Sequence, residues 1–161
     1  MSDMIKVGIA DLKIAKAPQK LTTLGLGSCV GVTIYDPTLK IGGMVHVMLP
    51  DSTAIKNNVN KAKFADTGVK ELLDQLIAQG CKKSNCVAKI AGGAQMFKFS
   101  AQTETLRVGE KNIAAVQQIL RELRIPIKAS DVGDTFGRTI ELNLENGSLL
   151  VRTIGKGEKE I

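Results

Sequence analysis

One cysteine and the only histidine are the residues of this chain best suited to do chemistry together. Cys29 lies within Leu21 to Pro37, L-T-T-L-G-L-G-S-C-V-G-V-T-I-Y-D-P, with Gly25, Gly27 and Gly31 around it. Glycine admits positive φ and close approach of other groups, so Gly25 and Gly27 predict a tight bend that holds a thiol and its neighbouring N–H groups at a surface. Beyond Cys29, Val30, Val32 and Ile34 alternate with Gly31, Thr33 and Tyr35. This period of two, rich in β-branched residues, predicts a strand. Asp36-Pro37 closes it, and Ile41 to Leu49 (I-G-G-M-V-H-V-M-L) predicts a second strand, with His46 pointing opposite to Val45 and Val47. A thiol before one strand and an imidazole inside the next become neighbours across a hairpin. That is the pairing an activated thiol nucleophile needs. A histidinium beside the thiol would lower its pKa and create the thiolate. The backbone N–H groups of Ser28 and Cys29, left unpaired by the glycine turn, are candidate oxyanion donors.

Competing motifs fail on spacing. A G-x-S-x-G elbow would need glycines where Leu26 and Val30 stand. A dinucleotide fingerprint would need its third glycine at position 30, followed by a helix rather than a strand. Cys81 and Cys86 flank K-K-S-N without any C-x-x-C pair, so a structural zinc site is not expected. Cys86 fits a small core residue and Cys81 a loop thiol. Three cysteines is an odd count, which argues against a disulfide framework.

The sequence blocks that carry these residues resemble a known family. T-L-G-L-G-S-C-V-G-V, G-M-V-H-V-M-L-P-D-S, K-F-A-D-T-G-V-K and A-K-I-A-G-G-A-Q-M-F follow one another in the order found in the CheD family of chemoreceptor glutamine deamidases. The similarity runs from about Gly8 to the L-L-V-R near Leu149. It implies a cytoplasmic protein-glutamine amidohydrolase acting on methyl-accepting chemotaxis receptors, with no cofactor and no metal. It also implies Thr23 as the third catalytic residue, through its hydroxyl or its carbonyl, with Thr22 the adjacent alternative. Gly27 and the loop of Gly92, Gly93, Gln95 and Met96 are implied to lie near substrate, although a tight turn would also explain that loop. Asn112 matches a family position preceded by arginine, here Lys111; a residue at a helix start is the simpler reading. A CheC-type phosphatase is implied as a second partner that docks on the same surface. The alternative function is a regulatory or adaptor module for that phosphatase or for receptors. A thiol acyl transferase that uses an amine in place of water is a third.

The elements that must position these groups follow from periodicity. Val7 to Ala15 predicts a first strand and Leu21 to Leu24 a second. The polar loop S-T-A-I-K-N-N-V-N-K after Pro50 predicts a lid or rim. Asp66 is the expected N-cap of a helix whose stripe is Val69, Leu72, Leu73, Leu76 and Ile77, stopped by Gly80. Cys86 to Ala91 predicts a strand. A second helix is expected over about 111–124, with Ile113, Val116, Leu120 and Leu123 inward and Phe97 and Phe99 in the core before it. Strands at Ile127 to Val132, Thr139 to Leu144 and Leu149 to Ile154 complete the pattern, the last two joined through Asn146-Gly147. The expected fold is α+β, a single domain over 1–161 with largely antiparallel mixed sheets, about eight strands and two main helices. The tail from about residue 155 is expected to fray.

Composition agrees with this reading. The chain has 161 residues, 43% of them apolar, enough for one sizeable core. Charges at Asp3, Lys6, Asp11, Lys13, Lys16 and Lys20 leave no signal-peptide core, and the uncharged run Leu21 to Tyr35 is shorter than the roughly 18 residues of a membrane span. The net charge of +6 is scattered and aromatics are only 3%, so no nucleic-acid stacking platform is expected. A basic surface suits faster encounter with an acidic protein partner.

Overall fold

The computed structural model describes residues 4–54, 56, 59–95 and 107–161. Alternation fixes the central layer. In β4 (Val30–Asp36), Val30, Val32 and Ile34 point to one face, and Val45 and Val47 of β5 (Ile41–Val47) join them. That face is covered by α1 (Ala65–Ala78) through Val69, Leu72 and Leu76, and by α2 (Val108–Glu122) through Val116 and Leu120. Each such fully buried side chain contributes about 1.5–3 kcal/mol relative to exposure. The opposite face of the same strands carries Tyr35 and Met44, which pack on Leu21, Leu26, Ile140 and Leu142 of a second sheet. The result is three layers: helices, sheet, sheet.

The central sheet runs β2 (Leu12–Lys16), β5, β4, β6 (Val87–Gly92), β7 (Ile127–Val132), antiparallel except for the β6–β7 pair. The outer sheet runs β1 (Met4–Lys6), β3 (Lys20–Leu26), β8 (Arg138–Asn143), β9 (Leu149–Thr153), β10 (Gly157–Glu160), antiparallel except for β1–β3. This is the α+β arrangement expected, with ten strands among the described residues.

Several expectations need correction. Of the strand expected over Val7 to Ala15 only Leu12 to Ala15 is strand, within β2; β1 ends at Lys6 in the other sheet, and Val7 to Asp11 is the crossing between the two. The Asp11 carboxylate, which accepts from the N–H of Gly8 and Leu12, holds the crossing between them. Asp66 does not cap α1. Phe64 occupies the cap position, and Asp66 in the first turn accepts from Ser52 N and Oγ at 3.1 and 2.8 Å. Ile77 lies off the buried stripe and is exposed. The C-terminal stop matches: Gly80 has φ +102°, its N–H reaches Ile77 O, and the Cys81 N–H reaches Leu76 O, a Schellman closure. α2 starts three residues before the expected Lys111, because the inward residues of its first turns are Gly109 and Asn112, which carry no apolar signal. The tail does not fray: β10 pairs with β9, and Ile161 exchanges backbone bonds with Leu149. An exposed edge strand needs no apolar alternation, so its sequence looks like coil. Met96, Phe97 and Phe99 lie outside the described residues.

Candidate active site

β3 carries a one-residue bulge next to the site. Thr23 pairs with Ile140, but Leu26 pairs with Arg138, and Gly25 at φ +69° absorbs the extra residue. The expected bend is therefore a bulge inside a strand that continues to Leu26. Only then does the chain turn through Gly27, Ser28 and Cys29 into β4. Gly31 lets the sheets approach, since a Cβ there would stand 2.6 Å from Ile140 Cδ1. Gly31 is paired with His46, and Cys29 comes two residues earlier, half-buried against the same inter-sheet core. Cys29 thus stands in the bend just before β4, one residue ahead of Val30, which pairs with Val47, the neighbour of His46 in β5.

His46 is fully buried, and its main chain is tied to the β1–β2 crossing: Ala10 N–H donates to His46 O, and His46 N–H donates to Asp11 O. Its Nδ1 lies 2.7 Å from Thr23 Oγ1. The Thr23 hydroxyl is also 2.7 Å from Val7 O, which can only accept, so its one proton goes there. The Thr23–His46 bond must then run from Nδ1–H to Oγ1. Nε2 is left as the lone-pair nitrogen, buried and without a hydrogen-bond partner among the described residues. Thr22 does not compete, because its hydroxyl donates to Ile140 O in the outer sheet.

The glycine loop supports the thiol from beside it. Gly93 N–H donates to Cys29 O and Ala94 N–H to Gly27 O, both at 2.8 Å. A Cβ on Gly92, whose φ is +112°, would come within 2.3 Å of Cys29 O. Gly92 and Gly93 are buried, Gln95 is half-buried with its N–H on Asp134 O, and Gly27 is half-buried at the turn itself. Asn112 is the residue that sequence reasoning undervalued. It is fully buried, and its amide donates to both Ser28 O and Met48 O at 2.9 Å. The only trace of this in the sequence is a polar residue where α2 turns inward.

Burial governs the protonation states. It holds the His46 imidazole down at about 4 and pushes the Cys29 thiol up, opposed in part by the Cys29 N–H. The resting pair is a neutral thiol beside a neutral imidazole, not the histidinium–thiolate pair expected from sequence. Cys81, expected as a loop thiol, is buried. Burial first and Asp36 second push its thiol up to about 11; burial, Cys81 and Asp36 push Cys86 up to about 12. Neither is a nucleophile at neutral pH. Among the described residues no cluster of histidine, cysteine or carboxylate side chains could hold a metal.

Comparison with known proteins gives the family. The family model described as CheD chemotactic sensory transduction matches residues 48–153. A protein of Lachnoclostridium phytofermentans named probable chemoreceptor glutamine deamidase CheD is 58% identical over 161 residues, covering both chains entirely. The chemoreceptor glutamine deamidase CheD of Halalkalibacterium halodurans is 51% identical over 162 residues, again covering both chains. That of Bacillus subtilis is 47% identical over 159 residues, 98% of this chain and 96% of its own. A crystal structure of the hypothetical protein YfiH of Bacillus licheniformis shares the fold at TM-score 0.51 and 15% identity, over 78% of this chain and 51% of that one. The family-model match begins after the thiol and the imidazole, but the full-length relatives span them. The chain belongs to the CheD family.

Proposed function

We propose that the protein is a chemoreceptor glutamine deamidase with Cys29 as nucleophile, His46 as general base and acid, and Thr23 as the group that sets the imidazole's tautomer. One observation carries this reading: the Val7–Thr23–His46 chain leaves Nε2 buried and bare, on the strand that pairs with the one Cys29 leads into. The names of the relatives supply the substrate class, glutamine side chains of chemotaxis receptors.

The steps follow from the proton positions. His46 Nε2 takes the Cys29 proton as sulfur attacks the carboxamide carbon, so the thiolate forms during attack and is not stored beforehand. The Cys29 N–H is an oxyanion donor for the tetrahedral intermediate. Nε2–H then protonates the leaving nitrogen, ammonia departs, and a thioester remains on Cys29. A water that gives its proton to Nε2 attacks the thioester. Collapse of the second tetrahedral intermediate releases glutamate and returns the proton to sulfur.

The test is mass spectrometry of a receptor cytoplasmic fragment incubated with wild-type protein or with Cys29→Ala. Conversion of defined glutamines, each gaining about one dalton as NH2 becomes OH at the acyl carbon, is expected with wild type alone. Conversion by both proteins would remove Cys29 from the mechanism. Conversion by neither, with the fragment still bound, would replace the enzyme reading by a regulatory module.

A further inference from the structure

Two backbone carbonyls lie beside the Cys29–His46 pair, and one side chain takes both. Asn112 gives one amide hydrogen to Ser28 O and the other to Met48 O, each at 2.9 Å. Carbonyls only accept, so the NH2 group must face them and Oδ1 must face away. That Oδ1 is buried without a hydrogen-bond partner among the described residues. An unpaired buried acceptor carries a desolvation cost, which a leucine of similar size would not bring. The side chain therefore carries a cost that filling space does not require.

Its two bonds join three segments: the turn that holds the thiol, the end of the strand that holds the imidazole, and the first turns of α2. Ser28 O also belongs to the peptide unit whose other half is the Cys29 N–H. That peptide is trans, since the one cis bond recorded among the described residues is Ala17-Pro18. In a trans peptide the carbonyl and the N–H point in opposite directions. With the carbonyl held toward α2, the N–H is turned away from the helix.

We infer that Asn112 is a positioning residue that aims the Cys29 N–H at the developing oxyanion and fixes this donor relative to the strand of His46. The oxyanion half of the inference rests on the deamidase reading; the orientation of the N–H does not. The Cys29 N–H also opposes the burial-driven rise of its own thiol's pKa, so a peptide released by loss of Asn112 should titrate differently even without substrate.

The experiment compares wild type, Asn112→Leu and Asn112→Ala by two readouts, with folding checked by circular dichroism. The first is the pH profile of iodoacetamide alkylation at Cys29. The second is kcat and KM for receptor-fragment deamidation. In the folded variants the alkylation midpoint should move to higher pH, and kcat should fall about 100-fold with KM unchanged, the loss typical of one oxyanion donor. A folded variant with the wild-type midpoint and the wild-type kcat overturns the inference. So does a variant that loses only unfolding stability, which would make Asn112 a packing residue. Alkylation needs no receptor, so a wild-type protein that alkylates but converts no glutamine overturns the deamidase reading instead, and the alkylation profile still decides Asn112.

Discussion

Thr23 has a single hydroxyl proton, and the Val7 carbonyl takes it. In the proposed mechanism that allocation is decisive, because it makes Nδ1 the donor and leaves Nε2 to serve as base. Thr23→Ser should keep most of the activity, since it keeps the hydroxyl. Thr23→Val should lower kcat about 100-fold, the lower end of what loss of general-base function costs. Equal rates for both variants in the receptor-fragment assay would remove the hydroxyl from the mechanism. His46 makes a second prediction. Its pKa is about 4 in the fold against 6.5 in an open chain, through burial. Between those values the unfolded chain binds more protons than the native one, so the native state loses stability as pH falls from 6.5 to about 4 and keeps it fully above 6.5. Urea midpoints measured across this window should slope downward in wild type and less steeply in His46→Gln. By the same shift, the acid limb of kcat/KM assigned to the imidazole should lie near pH 4; a limb near 6.5 would contradict the buried, neutral imidazole.

The site is assembled from element ends rather than element centres. Cys29 follows the bulged end of β3, His46 lies near the end of β5, Gly92 ends β6, and Asn112 lies in the early turns of α2. The glycines at these junctions serve spacing. Gly92→Ala combines a φ of +112° with a Cβ 2.3 Å from Cys29 O, so the thiol turn has to move. We expect a loss of about 1–3 kcal/mol in urea unfolding together with a fall in kcat. Unchanged kcat in a destabilised protein would separate this loop from the chemistry. Gly109 belongs to the same junction, since its Cβ would stand 2.5 Å from Ala94 O. Neither contact has a local sequence pattern, which is why α2 is readable from Ile113 onward and not from Val108.

At the scale of the molecule, Arg138 links the two sheets behind the site. It lies on β8 of the outer sheet and is fully buried. Its Nε donates to Asp131 of β7 at 3.2 Å, and its Nη1 to Gly133 O at 3.1 Å and Gly92 O at 3.4 Å. Gly92 O is thus held by the outer sheet while the Cβ-less face of Gly92 lies against Cys29. Arg138→Met should destabilise by about 3 kcal/mol, the lower end for breaking a buried pair, because Asp131 keeps Lys159 at 3.4 Å. A urea midpoint equal to wild type would show that the sheets hold together without it. No helix among the described residues is long and apolar enough to cross a membrane.

The sequence alone determined the alternation of β4 and β5, the apolar stripe and glycine stop of α1 and the Asn146-Gly147 hairpin, and it named Cys29 and His46 as the candidate pair. All of these are encoded by near neighbours, through a period of two, a period of 3.6 or a turn residue. The tertiary structure decided the rest. Val7 sets the tautomer of His46, the chain crosses from one sheet to the other at Asp11, Asn112 reaches Ser28 and Met48, and the tail pairs as β10. In each case the partner is a backbone group or a plain peptide ladder. Every residue carries a carbonyl, so no side-chain pattern marks which one a distant threonine or asparagine will meet. Burial, likewise a property of the packed layers, keeps the thiol and imidazole neutral where their residue types alone suggest an ion pair.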